Sequence, residues 1–285
     1  MFEGIPVVDA HIHAARRPTL KPPESLWAPF PSTFDGLYDE TGAVRPDRFD
    51  ALLDAEGIDV GMLMCEYSPK VTGIQPIEDN LPLVARNPHR FRLFAAINPH
   101  YHFPVAAELE RQLDLGAVAL KIHPVHAGCF PTDRALFPAY EVCRNRGIAV
   151  VIHCGTSVFP GAANSYADPV HVDELAHVFP DIQWVLAHGG RGWWYDAAAF
   201  ITQSHDNVWL EISGLPPKKL PEYYARHDLN RLLTKGVFGT DWPGVPGFRR
   251  NVEAVAALGL PDDTLERLLW RNANDLYRLD LRETP

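Results

Sequence analysis

Two histidines one residue apart set the chemistry of this chain. In Val7-Val8-Asp9-Ala10-His11-Ile12-His13 an apolar run leads straight into an acid and two imidazoles. Along an extended strand alternate side chains share a face. The spacing therefore predicts Asp9, His11 and His13 on one side, with Ala10 and Ile12 on the other. Two imidazoles in register can grip one divalent ion, and a borderline metal such as zinc favours nitrogen ligands. Further polar residues fall at the ends of other apolar runs: Asn98 and His100, Lys121 and His123, His153, His188 and Asp241. A polar group ending a buried strand is costly unless it finds a partner. Of the remaining histidines, His102 and His126 fall in loops and read, like His100, as surface or substrate-contact groups. His89, His171, His177, His205 and His227 fall on helices or their edges and read as structural.

The elements that must position these residues alternate regularly. Apolar runs at 60–65, 91–97, 118–122, 149–152, 184–187, 208–212 and 237–239 follow the one that ends at His13. Amphipathic or mixed helical segments lie between them, at 46–56, 77–86, 105–115, 136–146, 172–178, 193–203 and 220–233, and two more, 249–258 and 262–276, finish the chain. Apolar strands separated by helices imply a parallel sheet covered on both faces. Eight such units favour an α/β fold of the closed (β/α)8 TIM-barrel type over an open doubly wound sheet, which usually carries a glycine-rich turn where His11-Ile12-His13 stands. In a barrel all these strand ends meet on one rim, where enzymes of this fold place their active sites. Residues 14–45 contain Pro18, Pro22, Pro23, Pro29 and Pro31 among Trp27, Phe30, Phe34 and Tyr38. Proline at that density blocks regular structure, so a long loop after strand one is expected to fold over the rim as a lid.

Bulk properties narrow the classes. With 285 residues, 46% hydrophobic and 22% charged, the chain can bury a large core, and 1–285 reads as one barrel domain. A net charge of −10 argues against a nucleic-acid surface. No apolar run is long enough to span a bilayer and no secretory leader is visible. The scattered Cys65, Cys129, Cys143 and Cys154 form no metal or disulfide pattern, so a reduced, cytoplasmic protein is expected, with a small-molecule substrate and no nucleic-acid or membrane partner. A homo-oligomer is compatible with the sequence.

Several stretches together resemble a known family. Asp9-Ala10-His11-Ile12-His13, Ala119-Leu120-Lys121-Ile122-His123-Pro124, Ile152-His153-Cys154-Gly155, Ala187-His188-Gly189-Gly190, Phe238-Gly239-Thr240-Asp241-Trp242-Pro243 and the closing Leu269-Trp270-Arg271-Asn272-Ala273 are similar, in order, to the amidohydrolase superfamily. The resemblance is to its amidohydrolase-related branch, which includes aminocarboxymuconate-semialdehyde decarboxylase-like proteins. It implies a metal, zinc by preference, held by His11, His13, His153 and Asp241. In the one-metal form His188 is a catalytic residue beside the ion. In the two-metal form it is a ligand, and a carboxylated Lys121 bridges the ions. One metal is the favoured reading.

Such a site predicts the following roles. Asp241 touches the ion and moves the proton of its water. His188 polarises a carbonyl or steadies an oxyanion. Lys121, His123 and Arg191 hold a substrate carboxylate, arginine offering a bidentate grip. Trp242, with Trp193 and Trp194, shapes an apolar pocket. The leading expectation is metal-dependent hydrolysis of an amide, lactone or similar bond in a small carboxylate-bearing molecule. Non-oxidative decarboxylation of an aromatic or muconate-type acid is the alternative, and a metal-binding protein without catalysis ranks third.

Overall fold

The computed structural model of the chain describes residues 1–19, 21, 36–245 and 247–281. Eight parallel strands run in sequence order around a barrel. They are β1 (Val8–Ile12), β2 (Val60–Leu63), β3 (Phe91–Ala96), β4 (Ala117–Ile122), β5 (Val150–Gly155), β6 (Trp184–Arg191), β7 (Val208–Glu211) and β8 (Gly236–Val237). Each pairs with the next, for example Ala96 with Lys121 and His153 with Ala187. The circle closes by backbone bonds between β1 and the stretch after β8. Ala10 N donates to Phe238 O (3.0 Å), Asp241 N to His11 O (2.9 Å) and His13 N to Trp242 O (2.8 Å). The closure thus places the His-x-His pair directly beside Asp241.

Alternate residues of the strands, among them Val8, Ala10, Met62, Phe94, Val151, Ala187 and Val237, form one buried cluster. Side chains from strands all around the barrel can meet in this way only in its interior. Trp270, Leu276 and Tyr277 from the C-terminal helices join the cluster, with the Phe94 and Tyr277 rings edge to face at 5.1 Å. The extra C-terminal helix, Asn272–Tyr277, therefore plugs the end of the barrel opposite the rim. A larger cluster lies between the sheet and the surrounding helices.

The structure departs from the sequence reading in local ways. The register of β1 against β2 shifts between Asp9 and Ile12, and a bulge re-aims side chains. Asp9 consequently does not sit beside the two histidines. Its carboxylate accepts from Thr240 N (2.9 Å), Thr240 Oγ1 (2.6 Å) and His11 N (3.1 Å), and burial pushes its pKa up to about 7. Strand β6 runs on past the expected 187 to Arg191, and Gly155 pairs with Arg191. An antiparallel hairpin, Glu66–Ser68 with Gly73–Gln75, follows β2 and had no clear signal in the sequence. The segment expected at 220–233 is two short helices, Leu220–Tyr223 and Leu229–Leu233.

Of the proline-rich stretch, Trp27 and Phe30 lie outside the described residues. Lys21 N donates to Thr72 O of the hairpin connection (2.9 Å), and Lys21 lines the rim pocket. All four cysteines are buried and unpaired. No helix among the described residues is long and apolar enough to cross a membrane.

The end of β3 is held by a side chain acting as a strand neighbour. Gln112, fully buried on the helix Val105–Asp114, accepts from Ala96 N (2.8 Å) and donates to Ala96 O (3.0 Å). Gln112→Ala strips both backbone groups of this partner, at a cost of about 1–3 kcal/mol for each buried group left unpaired. The expected outcome is a lower urea midpoint with an unchanged slope. A midpoint equal to that of the wild type contradicts the assignment.

Candidate metal centre and active site

The rim gathers side chains from β1, the β2 hairpin, β4, β5, β6, β7 and the turn after β8. His11 Nε2 and His13 Nε2 lie 3.7 and 3.5 Å from Asp241 Oδ1. Among the described residues these three form one of two groups whose ligand atoms all fall within 4.8 Å of one another. Two N or O ligands bound at about 2.0–2.1 Å in tetrahedral or octahedral geometry stand about 3–3.4 Å apart, so this spacing fits a shared divalent ion with little adjustment.

The hydrogen bonds around the imidazoles support the same fit. His11 Nδ1 donates to Glu211 Oε1 (2.5 Å), which leaves the Nε2 lone pair facing Asp241. His188 Nδ1 donates to Ser213 O (3.0 Å). His153 Nε2 donates to Gly155 O (3.0 Å), while its buried Nδ1 finds no hydrogen-bond partner among the described residues. A carbonyl only accepts, so the neutral His153 ring carries its free lone pair on Nδ1. Orientation of a ligating imidazole by a carboxylate or carbonyl on its other nitrogen is the usual support of a metal site. Burial holds His11, His153, His188 and His123 well below the ordinary histidine range, and the neutral ring is the form that binds a metal.

Asp241 divides its two oxygens. Oδ1 faces His11 and His13, while Oδ2 faces His188 Nδ1 (3.8 Å) and Arg191 (3.6 Å). Burial pushes its carboxyl up, but the hydrogen bond from His13 and the nearby His11, His13 and Arg191 outweigh that and hold it below the usual carboxylate range. The backbone is bent to make this possible. His188 (φ 66°) and Asp241 (φ 67°) are both in the left-handed region, which costs on the order of 1–3 kcal/mol per non-glycine residue and clusters at functional sites. Gly214 lets the carboxylate in: a Cβ there would stand 2.7 Å from Asp241 Oδ2 and 2.6 Å from an Arg191 nitrogen.

The structure brings together His11, His13, His153, His188, Arg191, Asp241 and His123 around one rim. A cavity of about 100 Å³ is lined by six of them, among others, while His11 lies beneath it. His153 lies outside the three-residue ligand group, its ring 4.4 Å from that of His188 and 4.2 Å from that of His123. Lys121 is 2% exposed, and its Nζ has no hydrogen-bond partner among the described residues. It does not line this cavity but lines a smaller adjoining one with His13, Glu66, Asn98 and His123, and burial lowers its pKa. Trp242 does not shape the pocket. It is fully buried, tilted on Phe49 at 5.2 Å and stacked with Phe248 at 5.8 Å, and Pro243 and Gly244 take the lining position. Trp193 is 70% exposed, with Trp194 against it at 5.3 Å, so neither closes an apolar wall of the cavity. His126, read above as a loop surface group, is 5% exposed and contacts Glu66.

Sequence reasoning passed over Glu211, Ser213 and Glu66. Ser213 Oγ donates to Glu211 Oε1 (2.5 Å) and stands 3.1 Å from both His11 Nδ1 and His188 Nδ1. The signal was present: Glu211 is the one charged residue inside the apolar run 208–212, and Glu66 directly follows the run 60–65.

A family model described as Amidohydrolase matches residues 8–279. No curated protein matches the chain. Among solved structures, an uncharacterized TIM-barrel protein from Bordetella bronchiseptica superposes with a TM-score of 0.77 at 21% identity, covering 96% of this chain and 99% of that one. A dihydroxybenzoic acid decarboxylase from Polaromonas sp. JS666, solved with manganese and 2-nitroresorcinol, gives 0.68 at 19% identity, with 98% of each chain covered. A probable 2-pyrone-4,6-dicarboxylic acid hydrolase from Acinetobacter baumannii, solved with citric acid, gives 0.65 at 15% identity, covering 95% of this chain and 99% of that one.

Glu211 is fully buried behind His11, so its removal tests the site without touching a ligand atom. The purified protein is expected to carry about one divalent ion per chain, and His11→Ala or His13→Ala to lose most of it. Glu211→Ala should weaken metal affinity about 10–100-fold, the range for an outer-shell carboxylate. Elemental analysis after dialysis reads all three. A wild-type protein that takes up no zinc on incubation contradicts the site.

Proposed function

The chain belongs to the amidohydrolase family, and from that membership we propose a metal-dependent hydrolase that opens an amide, lactone or similar bond of a small carboxylate-bearing molecule. The observation that carries this reading is the divided Asp241 carboxylate, with one oxygen at the two histidines and the other beside His188 and Arg191. In this reading His11, His13, His153 and Asp241 hold one divalent ion, and their nitrogen-rich set favours zinc. When bound, such an ion supplies Lewis acidity and a water acidic enough to ionise near neutrality.

The protein's own groups supply the rest. Asp241 takes a proton at Oδ2 and returns it to the leaving group. His188, its Nδ1–H donated to Ser213 O, keeps an unprotonated Nε2 that can take up a proton during the reaction, and the imidazolium so formed steadies the charge that develops on the reacting carbonyl. Arg191 and Lys21, both on the pocket lining, give the substrate carboxylate its cationic partners, with His123 beside them as a neutral donor. Lys121, buried close to Glu211 and Asp241, acts on the field at those two carboxylates. Its burial also suits the carboxylated form of a two-metal site, and metal stoichiometry separates the two: two ions per chain that fall to one in Lys121→Ala replace the one-metal reading.

A second reading, non-oxidative decarboxylation of an aromatic or muconate-type acid, draws support from decarboxylases among the structures of similar fold. It uses the same residues, with a proton delivered to carbon as carbon dioxide leaves. Screening small lactones and amides against aromatic and muconate-type acids, with carbon dioxide release recorded alongside, decides between the two. Carbon dioxide from the acids with no turnover of lactones or amides replaces hydrolysis by decarboxylation.

Asp241 and His188 separate binding from chemistry. Asp241→Asn keeps an oxygen ligand and loses the base, so partial metal occupancy with little turnover is expected. His188→Asn should keep nearly full occupancy while kcat falls by about two orders of magnitude or more, the scale of a lost proton-transfer or oxyanion group. Metal content and turnover measured on the same preparation report both. A His188→Asn protein that loses metal in step with activity moves His188 into the ligand set.

A further inference from the structure

Across the pocket from Asp241, three side chains from three different connections form a chain of hydrogen bonds. Glu66 opens the hairpin after β2, His126 sits in the short helix Pro124–Ala127 after β4, and Ser157 lies two residues beyond β5. They are 5, 5 and 6% exposed, and all three line the cavity. Glu66 Oε1 stands 2.5 Å from His126 Nδ1, and Ser157 Oγ stands 2.9 Å from His126 Nε2. An ionised carboxylate only accepts, so His126 Nδ1 donates to Glu66. The Nε2 lone pair then accepts from the Ser157 hydroxyl. Ser157 is itself fixed, its N–H donating to Asn164 Oδ1 (2.8 Å) and its carbonyl accepting from Asn164 Nδ2 (3.2 Å). The His126 ring is stacked on His123 at 3.6 Å and met edge-on by Phe159 at 5.6 Å. Carboxylate, imidazole and hydroxyl in this order are the parts of an activated serine.

A metal ion is the rival occupant, since ligand atoms of Glu66, His123 and His126 also fall within 4.8 Å of one another. Distances decide against it. Two ligands of one ion stand about 3–3.4 Å apart at bond lengths near 2.0–2.1 Å, as the atoms of His11, His13 and Asp241 nearly do. The 2.5 Å between Glu66 and His126 is a direct hydrogen bond, and His126 Nε2 is committed to Ser157.

We propose that Ser157 is an activated nucleophile and that this wall is a second, metal-independent acyl-transfer centre for carboxylic esters of small alcohols. Ser157 Oγ bonds to the ester carbonyl carbon as its proton passes to His126 Nε2. The ester C–O bond breaks, and that proton leaves with the alkoxide as the free alcohol. Water then attacks the acyl carbon and gives a proton to His126, which returns it to Ser157 Oγ as the acid departs. Ser157 and His126 are the catalytic residues of this step, and Glu66 is a positioning residue acting through His126. The proposal does not rest on the metal-dependent reading.

The test uses an alkyl fluorophosphonate on the full-length protein as purified. Ser157 Oγ bonds to phosphorus, fluoride leaves, and the hydroxyl proton goes to His126. Intact mass and peptide mapping should show one phosphonyl group per chain, on Ser157, and none in Ser157→Ala. Glu66→Gln and His126→Gln should slow labelling at least 100-fold, the lower range for a lost general base. Added zinc sulfate should leave the rate unchanged. No adduct on the wild-type protein, an adduct on another residue, a Glu66→Gln rate equal to wild type, or a rate that rises with bound zinc each overturns the proposal. None of these results touches the metal stoichiometry predicted for the opposite wall.

Discussion

The constraint on which the rim depends is the need to satisfy several imidazoles in a space with little access to water. An imidazole nitrogen left without a partner there is costly, and two adjacent rings cannot both carry charge. The structure answers by committing one nitrogen of four of these rings to a fixed acceptor: Glu211 for His11, Gly155 O for His153, Ser213 O for His188 and Glu66 for His126. Each commitment sets the tautomer and so sets where the remaining lone pair points. For His11 that direction is toward Asp241, and for His126 it is toward Ser157.

The backbone yields to the same requirement. Asp241 and His188 occupy left-handed conformations that ordinary residues avoid, and the barrel closes at Asp241 by a bond from its N–H to His11 O. That bond makes one rigid unit of the first strand and the turn after the last. The bulge in β1 belongs to the same arrangement. It frees Asp9 to bind both Thr240 N and Oγ1, fastening the turn from behind while the histidines face the cavity.

The cavity has two unlike walls. One carries the His11, His13 and Asp241 cluster with Arg191 beside it, an arrangement suited to a cation and a bound carboxylate. The other carries Glu66, His126 and Ser157, whose atoms lie at hydrogen-bond and not at ligand-to-ligand distances. His123 and His153, with rings 4.2 Å apart, lie between them. Polar groups reach the cavity from more than one side because every strand delivers its last residues to the same ring.

By itself the sequence determined the barrel, since eight apolar runs interleaved with helices leave few other ways to bury both faces of a sheet. It also marked His11, His13, His153, His188 and Asp241, because a polar residue ending an apolar strand stands out one strand at a time. The tertiary structure alone decided which of those side chains meet. Alternation along β1 placed Asp9 with the histidines, and a one-residue bulge, invisible in residue types, turned it away. Trp242 looked like a pocket wall from its place beside Asp241, yet the turn sends it into the core against Phe49 and Phe248. Glu66, His126 and Ser157 are separated by 60 and 31 residues, and no local pattern links them. Their juxtaposition follows from three loops folding over one rim, which is a property of the closed barrel and not of any segment within it.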